Sequence, residues 1–385
     1  MKFSSQWIGM QRRLEIDAAR GLMLVWMTLT HLPTIVSTYV NQPFGFVSGA
    51  EGFIFLSALF TGRTFFLLAE REGNRAMASQ LWMRALRLYI YHLILLAIAF
   101  LLIAKLAAGG TRPGLHNLLD FYFMAPRQAP IAGALLIYRP PLLDILPMYI
   151  TFLLFTPIAL TLARRIGWKL ILTAGFTLWL SAQFGLRQVV YDFSTRVFGL
   201  HLPLSATGAF DLFAWQFMWL LGLYCGARWS QNDLPVEKWA RRMLIPALVI
   251  APVLFALRYA VGHSIELGMF EVSFDKWHLG IVRLIDFAAI AALLIQFRSV
   301  MKAVAIRPLV MMGQASLQVF CAHLLACFIG LAIMRDAPMV NGWQRAALVM
   351  MALSGMLLTA QIFSRNRSAG VGTRVASRPV VQFGD

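Results

Sequence analysis

Apolar residues run in blocks of about twenty along almost the whole 385-residue chain, separated by short polar breaks. Blocks of that length cross a hydrocarbon core about 30 Å thick as helices. They predict an all-α polytopic membrane protein with ten spans, at about 21–40, 46–68, 83–104, 142–163, 169–185, 210–228, 244–262, 279–297, 309–333 and 344–363. The fifth is short and ends at Gln183. No soluble domain and no internal repeat stands out. Residues 1–364 read as one transmembrane domain, and 365–385 as a disordered basic tail.

Within this pattern the polar positions inside apolar blocks are the informative ones. His31 and Glu51 lie in the first two blocks, on either side of an Asn41-Gln42-Pro43 turn. Ionisable groups at membrane depth cost several kcal/mol, so such a group is a functional candidate whose partner should be named. On a helix, Asp17, Arg20, Leu24, Thr28 and His31 share one face. At about 1.5 Å per residue His31 lies roughly 16 Å along the axis from Arg20. The second helix returns, so Glu51 is expected at the depth of His31, with Ser48, Gly49, Ala50 and Gly52 allowing close backbone approach. Arg63 returns to the depth of Arg20. The expected arrangement is a buried His31/Glu51 pair above a basic level of Arg20 and Arg63. The plainer readings are a packing histidine bonded to neighbouring backbone, and arginines that merely anchor the interface.

Composition and charge agree with the class. Hydrophobic residues make up 59% of the chain and charged residues 13%, which excludes an ordinary soluble globule. The net charge of +17 would suggest a nucleic-acid partner in a soluble protein. With a cytoplasmic N-terminus, however, 23 of the 34 basic residues fall on cytoplasmic segments, the bias that sets membrane topology. Both termini are then cytoplasmic and no nucleic acid is implied. Cys225, Cys321 and Cys327 lie in apolar blocks without metal-binding spacing, so neither a disulfide framework nor a metal site is expected. No cleavable signal, phosphate-binding loop or dinucleotide fingerprint is recognisable. The outer loops 105–141, 186–209 and 263–278 mix charges with aromatic residues, as a carbohydrate-facing surface does and as ordinary loop packing also does.

Later blocks carry further polar groups at membrane depth. These are Asp144 and Tyr149 in the fourth, Asp211, Trp215 and Gln216 in the sixth, and Gln314, Ser316, Gln318 and His323 in the ninth. Each is a candidate for substrate binding and equally for interhelical hydrogen bonding. Arg283 and Asp286, three apart in the eighth, are expected to pair with each other.

A histidine beside a carboxylate can act as an oriented general base, and a basic level below it suits the phosphates of an acyl-coenzyme A. One-step transfer of an acyl group to a sugar hydroxyl would need no serine or cysteine nucleophile. The residues make this chemistry available without making it unique. The opening EIDAARGLMLVWMTLTHLP and the following FGFVSGAEGFIFLSALFTGRT resemble the start of the OpgC family, and DILPMYI, FAWQFMWLLG and GQASLQVFCAH resemble its later blocks in the same order. The resemblance covers about residues 14–330. It departs at Arg13-Leu14-Glu15, where the family often has Arg-Asp, and at Ser57-Ala58, where Ser-Gly is typical.

The resemblance implies a bacterial inner-membrane, multi-pass enzyme related to the membrane-bound sugar O-acyltransferases. It would move a succinyl group from cytoplasmic succinyl-CoA, a co-substrate and not a resident cofactor, to a periplasmic glucan. By the same resemblance His31 is the base and Glu51 its partner, and Arg20 and Arg63 bind or gate the donor. Asp17 is carried over with them, while Asp144, Tyr149, Trp215, Gln216, Ser316 and His323 remain candidate binding residues. Competing readings are an O-acetyltransferase of another envelope polysaccharide, a non-catalytic partner of glucan export, and a proton-coupled transporter. The last would carry paired broken spans, which are not recognisable here.

Overall fold

The first predicted span is cut short by its own sequence. Pro33 has no amide hydrogen and restricts the residue before it, so helix α1 (Leu14–His31) stops at His31 and does not run on to residue 40. Helix α2 (Ile35–Val40) folds back beside it, and the Trp26 indole donates to the Val40 carbonyl at 2.5 Å. These elements belong to a computed structural model that describes residues 14–109, 112–199, 202–231, 235–264, 270–334 and 342–375. Every regular element among the described residues is helical.

Helix α3 (Gly49–Ile98) continues through a π-helical turn at Ala99–Ile103 to Ala107. It breaks at Gly73, where φ is 87° and ψ 169°, a conformation that glycine alone adopts readily. The guanidinium of Arg84 donates to the Thr61 hydroxyl at 3.3 Å, so the two arms lie side by side as a hairpin with Gly73 at its apex. They correspond to the second and third predicted spans.

Next come α4 (Ile145–Ile166), α5 (Trp168–Gln183), α6 (Leu186–Phe198), α7 (Leu212–Ser230), α8 (Leu244–Ser264), α9 (Ile281–Gln296) and α10 (Arg298–Val304). The ninth predicted span divides at Ala315 into α11 (Arg307–Gln314) and α12 (Ser316–Met334). Helix α13 (Gly342–Val375) continues past Ser364, and residues 376–385 of the expected tail lie outside the described residues. Among the described residues, four stretches are long and apolar enough to cross a membrane: Gly49–Ala107, Ile145–Ile166, Ser316–Ile333 and Gly342–Ser364. There are five if α9 and α10, bent by 84° to one another, form one span.

Small residues make the principal contact. Gly222 and Gly226 of α7 lie four apart, against Ala58 and the Leu59 carbonyl of α3, while Gly62 of α3 meets the backbone of Leu223. Backbone-to-backbone packing of this kind drives helix association where burying apolar surface gains little. The same device joins α1 to α11, where Gly21 meets the Leu309 carbonyl and Gly313 the Asp17 carbonyl. Gly49 and Gly52 likewise face Met23 and Met27 of α1, the close approach expected at the start of α3.

Candidate functional site

The end of α1 and the starts of α3, α4, α7 and α9 converge at one end of the bundle. The convergence is carried by contacts between residues far apart in sequence. Asp144, the residue before α4, accepts from the Ala209 amide at 3.3 Å. Asp211 caps α7 by accepting from Phe213 and Ala214, and its own amide donates to the Trp277 carbonyl at 3.0 Å.

His31 sits at this end, on the last residue of α1. Its Nδ1 lies 3.4 Å from Nε2 of His323 on α12, with the rings stacked 5.4 Å apart. His323 is fully buried, and its Nδ1 lies 3.5 Å from the Cys327 Sγ. Among the described residues, Nε2 of His31 has no hydrogen-bond partner, so this nitrogen is the one free to meet a substrate hydroxyl.

Glu51 is committed elsewhere, and the expected His31–Glu51 partnership is not formed. One carboxylate oxygen accepts from Nε and Nη2 of Arg283 on α9, and the other accepts from the Ser48 amide and hydroxyl at 3.0 and 2.6 Å. The reason is positional. Because α3 starts beside Met23 and Met27, Glu51 lies roughly one to two turns further down α1 than His31 and faces α9. The expected Arg283–Asp286 pair is also replaced. Asp286 accepts from the Phe46 and Val47 amides at 2.6 and 3.3 Å, which ties the loop before α3 to α9. Both partners of Glu51–Arg283 are sealed from solvent, so every charge of the pair must be matched inside the protein.

The opposite end of α1 carries a second set. Arg20 donates to Ser316 at 2.5 Å and lies over the Phe60 ring at 5.1 Å. Gln314 reaches the buried Asp17 carboxylate at 3.5 Å. The Arg63 guanidinium lies 3.7 Å from the centroid of Trp229. Arg20, Arg63 and Ser316 are only partly buried. Phe60 and Arg63 both belong to α3, so one helix carries contacts of both arginines, as the shared depth of Arg20 and Arg63 predicted.

The remaining candidates divide. Trp215 is buried at the His31 end, donating to the Trp277 carbonyl at 3.1 Å. Tyr149 accepts from Arg84 at 2.9 Å and meets the edge of Trp219, within the α3–α4–α7 packing. Arg84 is therefore a partner of core hydroxyls, Thr61 and Tyr149. Gln216 bonds the Gly175 and Phe213 carbonyls at 2.7 and 3.0 Å, joining α7 to α5. Of the outer-loop residues, His201 and Glu266 lie outside the described residues, and His263 falls in the last turn of α8.

Sequence reading placed residues 275–278 in the outer loop 263–278 but missed how residues 275–280 bond into the His31 end. Leu279 has φ 48°, a strained value for a branched side chain. Its carbonyl accepts from the Trp179 indole at 2.9 Å, that of His278 from Gln183 at 2.8 Å, and that of Trp277 from both Asp211 and Trp215. His278 pairs with Asp275. That contact holds the His278 imidazole above its usual pKa of 6.5 and the Asp275 carboxyl below its usual 3.8. Outside this loop a cavity of about 520 Å³ is bounded by Arg187, Gln188, Ser205, Gly208, Trp277 and His278. The mix of charges and aromatic residues marks the loop in the sequence, and its carbonyl contacts with α5 and α7, distant in sequence, are what the sequence leaves unmarked.

Compared with known proteins, residues 12–368 match the family described as OpgC protein. No curated protein and no solved structure matches the chain.

Proposed function

Since the chain belongs to the OpgC protein family, a family of membrane-associated, glucan-modifying acyltransferases, we propose that it transfers a succinyl group from succinyl-CoA to a hydroxyl of a periplasmic glucan. In this reading it is an inner-membrane protein of ten spans with both termini cytoplasmic, and residues 1–364 work as one unit. The Arg20 end faces the cytoplasm and holds the donor phosphates. The His31 end faces the periplasm, where the cavity beside Trp277, with ring, amide and cationic groups on its walls, receives the sugar.

The observation that carries the reading is the geometry of His31. It ends a helix whose other end is basic, one ring nitrogen is held by His323, and the other is free. Nε2 of His31 takes the proton of the acceptor hydroxyl as its oxygen attacks the thioester carbonyl. The Nδ1 contact with His323 keeps the imidazole oriented and gives the accepted charge a neighbour to share it with. Collapse of the tetrahedral intermediate forms the ester and expels coenzyme A as thiolate, and the proton held on His31 passes to that sulfur, returning the neutral base. Glu51 and Arg283 are positioning residues that hold α3 against α9 beneath this point.

The test is mass spectrometry of periplasmic glucans from a deletion strain carrying wild type or His31→Ala at matched protein levels. A succinyl mass increment restored by wild type and lost in the variant supports the reading. An acetyl increment keeps the mechanism and changes the donor. Restoration by both sinks His31 as the base, and restoration by neither removes the glucan assignment.

A further inference from the structure

An amphipathic helix ordinarily turns its apolar stripe toward the core. Helix α6 turns it outward. Its sequence LRQVVYDFSTRVF sets Leu186, Val189, Val190, Phe193 and Val197 at spacings of three and four, on one face. Val189 is 64% exposed, Phe193 59% and Val197 55%, and no residue of the helix is buried. The helix is nevertheless fastened, by residues that lie off the stripe. The Arg187 guanidinium donates to the carbonyls of Leu204, Gly208 and Ala209 and to the Thr207 hydroxyl. One turn further on, the Tyr191 hydroxyl donates to the Leu202 carbonyl at 2.8 Å. The segment that receives these bonds is itself tied to the His31 end, since the Ala209 amide reaches Asp144. The stripe therefore faces outward because the polar side of α6 is bonded down.

The preceding helix indicates what covers it. Helix α5 is apolar throughout, with Lys169 its one charged residue. Phe176, Leu180 and Phe184, four apart along α5 and its end, are all exposed, Phe184 to 82%. In a membrane protein such a face meets hydrocarbon. At Gly185, where φ is 84°, the chain turns into α6, and its character changes at the same point. The apolar stripe continues, but Arg187, Gln188, Asp192, Thr195 and Arg196 now occupy the rest of the helix. Arg196 borders the stripe, where a cation can keep its stem in apolar surroundings and its head in water. An apolar surface that passes from a wholly apolar helix to one that is polar on its other side marks the level where hydrocarbon gives way to headgroups.

We propose that α6 is an interfacial helix whose Val189–Phe193–Val197 stripe is immersed in lipid at the His31 end of the bundle, the bilayer surface being its partner. Arg187 and Gln188 of the same helix stand on the wall of the 520 Å³ cavity beside Trp277 and His278. The lipid surface thus supports one wall of that cavity and sets it at the boundary between lipid and water. This surface is independent of the acyl-transfer reading. Combined with that reading, it means that the sugar is met at the membrane surface.

The test places spin labels on the full chain in phosphatidylcholine nanodiscs, at single added cysteines: Val189→Cys, Phe193→Cys, Val197→Cys, Gln188→Cys and Asp192→Cys. Labelled wild type gives the background of the native cysteines. Labels on the stripe should be open to oxygen and closed to a water-soluble nickel chelate, and those replacing Gln188 and Asp192 should show the reverse order. Nickel access at all five positions places the stripe in water and overturns the proposal. Protection from both reagents at Val189, Phe193 and Val197 also overturns it, because protein, a second copy or another chain, then covers the stripe. Because an added cysteine could disturb the helix, the unaltered chain is also photolabelled with a diazirine dissolved in the lipid phase. Adducts on Val189, Phe193 or Val197 are the expected result, and adducts on α5 with none on α6 overturn the proposal. Neither measurement depends on turnover, so a failed acyl-transfer assay leaves this result standing, and a failure here leaves acyl transfer untouched.

Discussion

The two ends of α1 solve opposite problems. At the His31 end the charges are sealed and over-determined. Glu51 accepts four hydrogen bonds from two residues, and the loop around Trp277 is bonded at three successive carbonyls. At the Arg20 end, part-buried cations lie against aromatic rings and a hydroxyl, Arg20 against Phe60 and Ser316, Arg63 against Trp229. A site that must place atoms for a bond-making step gains from fixed partners. A site that admits and releases a charged ligand gains from cations set in part-exposed positions against aromatic faces.

The comparison can be broken most sharply at His31. His31→Ala should lower acyl transfer about 10²- to 10⁴-fold with little change in melting temperature, read by product mass spectrometry beside thermal unfolding in detergent. An equal loss of stability and activity would make His31 a packing residue. At Glu51 the order should reverse. Glu51→Gln leaves the Arg283 charge buried without its counterion and should cost about 3–5 kcal/mol of stability. The paired Glu51→Met, Arg283→Met variant should recover most of that loss in the same unfolding assay.

At the other end, Arg63→Ala should raise KM for the acyl-CoA about tenfold and cost only about 1 kcal/mol of stability, separable by steady-state kinetics. A change in kcat alone would contradict a donor-binding role. The smallest effect belongs to His278. Its raised pKa means that the Asp275 pair stabilises the fold fully below about pH 6.5 and loses that contribution as pH rises through the elevated value. The depressed Asp275 remains ionised across this window. The pair is partly exposed, so solvent screening limits the effect to no more than about 1 kcal/mol. A melting profile between pH 6 and 9 should show this slope, and His278→Asn should flatten it.

What the sequence made legible was local. Periodicity placed Arg20 and His31 on one helix, and small residues marked where α3 approaches α1, because both depend on neighbours within a few turns. The partners were not legible. Glu51 is bonded to Arg283 232 positions away, and His31 to His323 292 positions away. Matching depth could not choose between Glu51 and His323, since it says nothing of the direction in which α3 presents its first turn. Ala315 breaks a span without proline or glycine, because Gly313 must meet the Asp17 carbonyl before the chain can turn into α12. The family match confirms the resemblance read from the opening motifs, which specify α1 and α3 but not the loop that closes over them.

The hairpin at Gly73 also bears on how the protein is made. A side chain begun at Gly73 would meet no packed neighbour within 4 Å, so the reversal draws on glycine's backbone freedom, while Arg164 of α4 and Gln231 after α7 bond the flanking Asn74 and Glu70. Its arms contact each other through Thr61 and Arg84, residues translated close together in time. The pair can therefore be released into lipid as one object. Arg71 and Arg75 flank the apex and resist passage through hydrocarbon, so the apex stays on the side where it emerges. Under the proposed topology, that retention would set both ends of the hairpin, including the Ser48–Glu51 cap, on the opposite side before α9 or α12 has been synthesised.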